Sequence, residues 1–427
     1  MNLIEIVDSS DFHKIDFQDF VVKSDIQTIV SEIIETVRKK GDRSLYDYTD
    51  KFDKVSLRSI KIKEEDIHSA RSRINSDVIK ILNEAIDNIR SFHENQLQES
   101  WIKEHDDGTR LGELVRPMDR AGLYIPGGKA FYPSTMIMNA VPAQIAGVKS
   151  IVVLTPPDQN GLPQDLILGI CSILGINEIF SVGGAQAIAA MAYGTESIAP
   201  VCKITGPGNI FVAEAKRQVF GKVGIDSIAG PSEIVILHDD PEIPIEYLAR
   251  DLLTQAEHDE DARAVLITDN LEIAGKVKKR LNELVPSLPR KEIIRKSLTQ
   301  NGKIIIVKDV DEGIELVNTI APEHLELLIM DKSKINKIRN AGAIFIGKWS
   351  SETVGDYFAG PNHTIPTGGA AKYGSPLSVR DFQKHSSVIE YSKERLFRQA
   401  DSIAKFADLE GLHAHAEAVR IRKHKVE

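Results

Sequence analysis

Cysteine is nearly absent from this chain: two residues in 427, Cys171 and Cys202. That excludes a disulfide-stapled scaffold and a thiolate zinc ribbon. Aromatic residues make up 6%, and acidic residues outnumber basic ones by 62 to 53, for a net charge of −9. A chain short of both basic and stacking residues is poorly suited to nucleic acid. No apolar run approaches the roughly 18 residues of a membrane helix. Met1–Glu5 has neither the basic nor the apolar character of a signal peptide. The expectation is a cytoplasmic globular protein with no nucleic-acid or membrane partner. Against two cysteines stand twelve histidines, so a metal site would draw on nitrogen and oxygen donors.

The length allows two to four domains at roughly 100–200 residues each. Ile26, Ile29, Val30, Ile33, Ile34 and Val37 recur at helical spacing between Ser24 and Gly41, which predicts an amphipathic helix with an N-cap and a glycine stop. Charge-rich helical sequence continues to about residue 99. Short β-branched runs at 122–125, 151–154, 178–182 and 201–204 then alternate with helical stretches at 134–147, 164–174, 185–193 and 209–220. A second series has runs at 234–237, 264–268, 303–307 and 343–346. Such alternation predicts βαβ units and parallel sheets. After about 378 the sequence reads as charged helix. The expected fold is α/β: two incomplete Rossmann-like α/β domains with small helical N- and C-terminal segments. The expected layout is 1–20, a discontinuous main domain of 21–123 plus 234–378, an inserted domain at 124–233, and a helical segment at 379–427.

Several clusters carry chemistry. Gly183-Gly184 and Gly206-Pro207-Gly208 sit at strand-to-helix turns, where backbone N–H groups can approach a phosphate, although neither completes a dinucleotide fingerprint. Gln255 and His258 are three residues apart, so a helix would project both donors from one face. Glu323 and His324 adjoin Pro322 at a loop or helix edge, where an acid and an imidazole can enter one cleft and divide proton transfer from water activation. Asp356, Asn362 and His363 lie in a Gly- and Pro-rich loop, and Glu410, His413 and His415 add a carboxylate and two imidazoles near the C-terminus. Taken singly, these residues also fit tight turns, a solvated helix end and a capped loop.

Eight segments taken together resemble the histidinol dehydrogenase family, in its order and over nearly the whole chain. They are GLYIPGG (122–128), VGGAQAIAA (182–190), ITGPGN (204–209), AGPSE (229–233), DLLTQAEHD (251–259), APEHLE (321–326), GDYFAGPNHTIPT (355–367) and EGLHAH (410–415). The resemblance implies one zinc per subunit held by Gln255, His258, Asp356 and His415. These four, with Ser232, Glu323, His324, His363 and Glu410, would contact L-histidinol; Tyr124, Gln186 and Asn209, all in the inserted domain, would contact NAD. His413 departs from the common pattern.

The implied reaction is a four-electron oxidation of L-histidinol to L-histidine through the aldehyde, with two NAD and one water, ending histidine biosynthesis. His324 would accept the alcohol proton, Glu323 would activate water, and His324 would then take the hydrate's proton. The family also implies a homodimer with shared active sites. The rival readings are a zinc-dependent NAD dehydrogenase acting on another small alcohol, and a zinc hydrolase in which Glu323 activates water without NAD. Both cysteines lie outside these segments, so the aldehyde step should proceed through water rather than a thioester. A Cys171→Ala/Cys202→Ala variant should retain aldehyde oxidation; loss of that step alone would refute the water route.

Overall fold

The computed structural model describes residues 3–14, 24–127, 132–228 and 230–424, so Gly128, Ala229 and part of the expected 1–20 segment lie outside it. The chain opens with β1 (Glu5–Asp8) and helices α1 (Ser24–Lys40), α2 (Asp42–Asp53), α3 (Glu64–Arg73) and α4 (Ser76–Glu94). Strands β2 (Trp101–Glu104) and β3 (Arg110–Pro117) follow. Next come β4 (Arg120–Tyr124), α5 (Pro133–Ile145), β5 (Ser150–Thr155), α6 (Asp165–Leu174), β6 (Glu178–Ser181), α7 (Gly184–Tyr193), β7 (Lys203–Thr205), α8 (Ile210–Val219) and β8 (Gly224–Ile225). The second series is β9 (Glu233–His238), α9 (Ile245–Ala256), β10 (Arg263–Thr268), α10 (Leu271–Leu284), α11 (Lys291–Gln300), β11 (Lys303–Ile306), α12 (Val310–Ile320), β12 (His324–Leu328), β13 (Ala343–Ile346) and α13 (Glu352–Tyr357). Strand β14 (Gln383–Glu390) and helices α14 (Lys393–Leu409) and α15 (His413–His424) end it.

Two compact units result. The first comprises Met1–Gln96 with Met118–Phe382, the second Leu97–Pro117 with Gln383–Glu427. The first holds two parallel sheets, one in the order β6-β5-β4-β7-β8 and one in the order β1-β11-β10-β9-β12-β13. The α/β expectation holds, and the strands are near-continuous apolar runs because both faces of each sheet are covered. In the five-stranded sheet Val152, Leu154, Phe180 and Ile204 pack toward α1, α7 and α8. Their neighbours Leu123, Val153 and Ile179 pack toward the α3–α6 side. In the six-stranded sheet Ile234, Ile236 and Leu266 meet α9–α11, while Val235, Leu237 and Ile267 meet α12. This alternation is the two-residue period of a strand serving two cores.

The structure departs from the sequence reading in three places. Helices α1–α4, which the layout assigned with 234–378, pack on helices of the five-stranded sheet: α1 on α7 and α8, α3 on α6, α4 on α5. Amphipathic periodicity marks a buried face without saying what buries it. The region beyond 378 is not wholly helical, since β14 pairs antiparallel with β3, from Gln383 opposite Pro117 to Glu390 opposite Arg110, and β3 pairs with β2. All of β14 but Gln383 and Val388 is exposed, so QKHSSVIE lacks an apolar signal and owes its strand to a partner some 270 positions away. Finally, His324 opens β12 rather than a loop or helix edge; Glu326 inside HLELL interrupts the apolar run that would mark a strand. Among the described residues no helix is long and apolar enough to cross a membrane.

Close approach fixes one point beside the future site. Gly342 N–H donates to the Pro322 carbonyl at 2.9 Å and Ala343 N–H to the Glu323 carbonyl at 2.9 Å. A Cβ on Gly342 would stand 2.6 Å from the Glu323 carbonyl oxygen. Gly342→Ala should therefore cost about 1–3 kcal/mol through overpacking, whereas Gly275→Ala, with open space around its Cβ in α10, should stabilise by about 0.4–1 kcal/mol. Thermal unfolding of the two variants checks this, and equal melting temperatures would refute it.

Candidate active site

The acid–base pair stands at the N-terminal edge of the six-stranded sheet. Glu323 and His324 lead into β12, and Ala321 just before them adopts a left-handed conformation at φ 55°. That φ is uncommon for a residue with a Cβ; it ends α12 and turns the chain sharply into the strand. Parallel pairing sets His324 against Ile234 and Ala343, which brings Glu233, the first residue of β9, alongside. Glu323 Oε2 accepts the Glu233 N–H at 2.9 Å. His324 Nδ1 lies 3.1 Å from the Glu233 carbonyl oxygen, 3.6 Å from Glu323 Oε2 and 3.7 Å from Glu352 Oε1.

A carbonyl can only accept, so this contact puts the imidazole proton on Nδ1 and leaves the Nε2 lone pair for a reacting group. His324 Nε2 has no protein partner although it is buried. Burial, the largest effect on His324, pulls its pKa below the usual histidine value and keeps the imidazole neutral, as a base must be. Burial raises Glu323 well above the ordinary carboxylate range, helped by the charges of Glu233, Glu352 and Asp356. A raised pKa makes Glu323 a stronger base once ionised.

Next to this pair is a set of metal donors. Gln255 is the penultimate residue of α9, and its Oε1 is buried without a partner while its Nε2 lies 3.4 Å from His324 Nδ1. The helix stops at Ala256, so His258 does not share a helical face with Gln255 as the spacing suggested; its N–H instead closes a turn onto the Gln255 carbonyl at 3.0 Å. Asp356 lies on α13, a short helix that runs into the start of the 355–369 stretch read as loop, one turn after Glu352. One donor atom each from His258, Glu352 and Asp356 lie within 4.8 Å of one another. Burial pushes Asp356 up to about 6 and Glu352 up to about 8, and neighbouring carboxylates add to both shifts. The unpartnered Gln255 oxygen and this oxygen–nitrogen donor set fit a divalent cation such as zinc.

Glu352 was missed by sequence reasoning; its signal was its position four residues before Asp356, on the same face of α13. Thr254 Oγ1 donates to Glu352 Oε2 at 2.7 Å, and Glu352 N–H donates to Glu326 Oε1 at 2.9 Å. The donors line a cavity of about 590 Å³ together with Ser232, Glu323, His324, His363 and Asn209. His363 is fixed by Asp356 O at 3.0 Å from Nδ1 and Thr135 Oγ1 at 3.3 Å from Nε2. The lining also includes Pro126 just after β4, Tyr132 just before α5, and Gly206–Ile210 between β7 and α8.

The remaining expected residues are placed differently. Tyr124 and Gln186 are buried and do not line the cavity; the Tyr124 hydroxyl accepts the Gly184 N–H at 3.0 Å and braces the start of α7. Glu410 and His415 belong to the second unit, where Glu410 caps α14 and His415 is exposed on α15. His413, the departure from pattern, is exposed and pairs with Asp408 at 3.0 Å. Cys171 is buried, which pushes its thiol strongly up, and Cys202 is exposed; neither lines the cavity.

A neutral base nitrogen, a second buried base and a cation-competent donor set in one α/β cleft are the equipment of an enzyme that moves protons on a small substrate. The histidinol dehydrogenase family matches residues 18–423. The chain is 50% identical over 398 residues to histidinol dehydrogenase of Bacillus subtilis, covering 93% of each, and 51% identical over 394 residues to that of Chlorobium chlorochromatii, covering 92% of each. A crystal structure of histidinol dehydrogenase from Elizabethkingia anophelis superposes with a TM-score of 0.93 at 36% identity, covering 99% of this chain and 98% of that one. This chain belongs to the histidinol dehydrogenase family.

Behind the donors, burial and the Asp251 carboxylate push Glu326 up to about 9, so it is neutral at pH 7. Glu326→Gln should then cost under about 1 kcal/mol, since an amide still accepts the Glu352 N–H. A loss of several kcal/mol in denaturant unfolding would show that the carboxylate is ionised.

Proposed function

We propose that this oxidoreductase converts L-histidinol to L-histidine through the aldehyde, using two NAD⁺ and one water. The observation that carries the reading is the buried Glu323–His324 pair, with His324 Nε2 unpartnered, lining the same cavity as His258, Glu352 and Asp356. Gln255, His258 and Asp356 would hold the zinc, with Glu352 beside them. His415 for the metal and Glu410 for the substrate are proposed to come from a second copy in a homodimer. Zinc there supplies a Lewis-acid anchor for the substrate's imidazole and amino groups. NAD⁺ supplies the acceptor for both oxidations, and its contacts are proposed at Asn209 and the glycine turns, with Tyr124 and Gln186 supporting the turn at Gly184.

The chain's own residues divide the proton work. His324 takes the alcohol proton on Nε2 while its Nδ1–H stays on the Glu233 carbonyl, so the ring keeps its orientation as it becomes charged. The imidazolium then faces the Glu323 and Glu352 carboxyl groups at 3.6 and 3.7 Å, and its charge favours their ionised forms. Glu323, held by the Glu233 N–H, draws a proton from water as it adds to the aldehyde. His324, once it has released the first proton to solvent, accepts the hydrate's proton on Nε2 in the second oxidation. Ser232 and His363 line the cavity as substrate contacts.

Glu323→Gln tests the assignment, because it removes the water-activating base and leaves His324 in place. Oxidation supplied with L-histidinaldehyde should fall by roughly 10²–10⁴-fold, with a smaller loss in forming the first NADH from L-histidinol. Equal loss of both steps would refute the role of Glu323. His258→Ala should bind zinc at least tenfold more weakly in a direct metal titration; unchanged affinity would sink the donor assignment.

A further inference from the structure

The cavity wall formed by Gly206–Asn209 is held by a buried ion pair that also belongs to the cavity lining and has no part in the proton transfers above. Lys216, in the middle of α8, and Asp226, just after β8, form a contact ion pair whose side chains are 2% and 4% exposed. Between them they grip a single residue. Asp226 Oδ2 accepts the Gly206 N–H at 2.7 Å, and Lys216 Nζ donates to the Gly206 carbonyl at 3.0 Å. The other carboxylate oxygen accepts the Ser227 N–H at 2.7 Å.

Gly206 has no freedom of its own here. Its φ is +114°, and a Cβ would collide with the Tyr124 carbonyl oxygen, so the loop leaves β7 pressed against the end of β4. At its far end Asn209 caps α8, its Oδ1 accepting the Phe211 and Val212 N–H groups at 3.1 Å each. The segment between these anchors lies where strand order turns: β5 and β6 are laid down on one side of β4, β7 and β8 on the other. In open parallel sheets, ligands bind outside the strand C-termini at this switch point. Burying two charges is expensive and by itself little evidence of stabilisation. What this pair secures is the setting of one peptide group at the mouth of the crevice.

We propose that Lys216 and Asp226 are positioning residues for NAD: acting through the Gly206 peptide, they hold the 206–209 loop in the conformation that receives the cofactor. This rests on the reading that NAD meets this loop.

The test measures NADH affinity by fluorescence titration and L-histidinol affinity by calorimetry, both on zinc-loaded protein. The variants are Asp226→Asn and the double variant Lys216→Met/Asp226→Asn, which leaves no unpaired buried charge. Glu178→Gln is the control; it weakens the Arg120–Glu178 pair, 2.6 Å apart at the opposite end of the same sheet. Both loop variants should bind NADH about tenfold more weakly, equivalent to about 1.4 kcal/mol, with L-histidinol affinity within about twofold and Glu178→Gln unchanged. Unaltered NADH affinity in the double variant overturns the proposal. So does an equal loss in Glu178→Gln, which would mean general loosening of the sheet, and so does failure of the double variant to fold, which would assign the pair to the fold. If the unmodified protein binds L-histidinol but not NADH, the underlying reading fails instead, and the positioning role with it.

Discussion

One contact organises the site: His324 Nδ1 against the carbonyl of Glu233, 3.1 Å away across two parallel strands. It sets the tautomer, leaves the buried Nε2 without a protein partner and ties the base to the backbone of β9. Because Glu233 also gives its N–H to Glu323, the same residue holds both bases. The arrangement exists only if β9, β12 and β13 keep register, which the Gly342 contact with the Pro322–Glu323 turn protects. The carboxylates gathered behind this pair, Glu326, Glu352 and Asp356, are all pushed up in pKa by burial. They are a concentrated source of instability, offset by sheets whose strands are apolar on both faces.

The two sheets of the first unit contribute opposite ends to the cavity. The six-stranded sheet offers the N-terminal edge of its strands, with Ser232, Glu323 and His324; the five-stranded sheet offers C-terminal ends, with Gly206–Asn209 and the start of α8. Acid–base chemistry thus sits where short strand entries can be tied down by neighbouring strands. The wall proposed to face the cofactor sits at a glycine turn whose Gly206 N–H and carbonyl are already taken by Asp226 and Lys216. A wall built on turns needs its own fixing, which is the service the Lys216–Asp226 pair performs.

Much of this was legible in the sequence, for a physical reason. Parallel strands covered on both faces must be continuous apolar runs, so Ser150–Thr155 and Glu233–His238 announced themselves. Residues that serve chemistry break such patterns: Glu326 disguised β12, and the polar β14 had no signal before its partner was known. Glu323 and His324 were legible as a pair through the Pro turn, but their depth was not, because burial depends on which strand lies alongside. Glu352 and Glu233 stayed hidden as ordinary helix-start and strand-start acids. They became site residues only when α9, α13 and β12 converged. Lys216 and Asp226, ten positions apart, carried no motif at all.

The central claim is that one cavity carries out two successive oxidations of one substrate, with the intervening water activated by Glu323. The most direct measurement is NADH formed per L-histidinol consumed by the purified, zinc-loaded protein at limiting substrate. Two equivalents, with L-histidine as the product, is the expected result. One equivalent with accumulation of the aldehyde, or none, would show that the cleft does not perform the chemistry assigned to it.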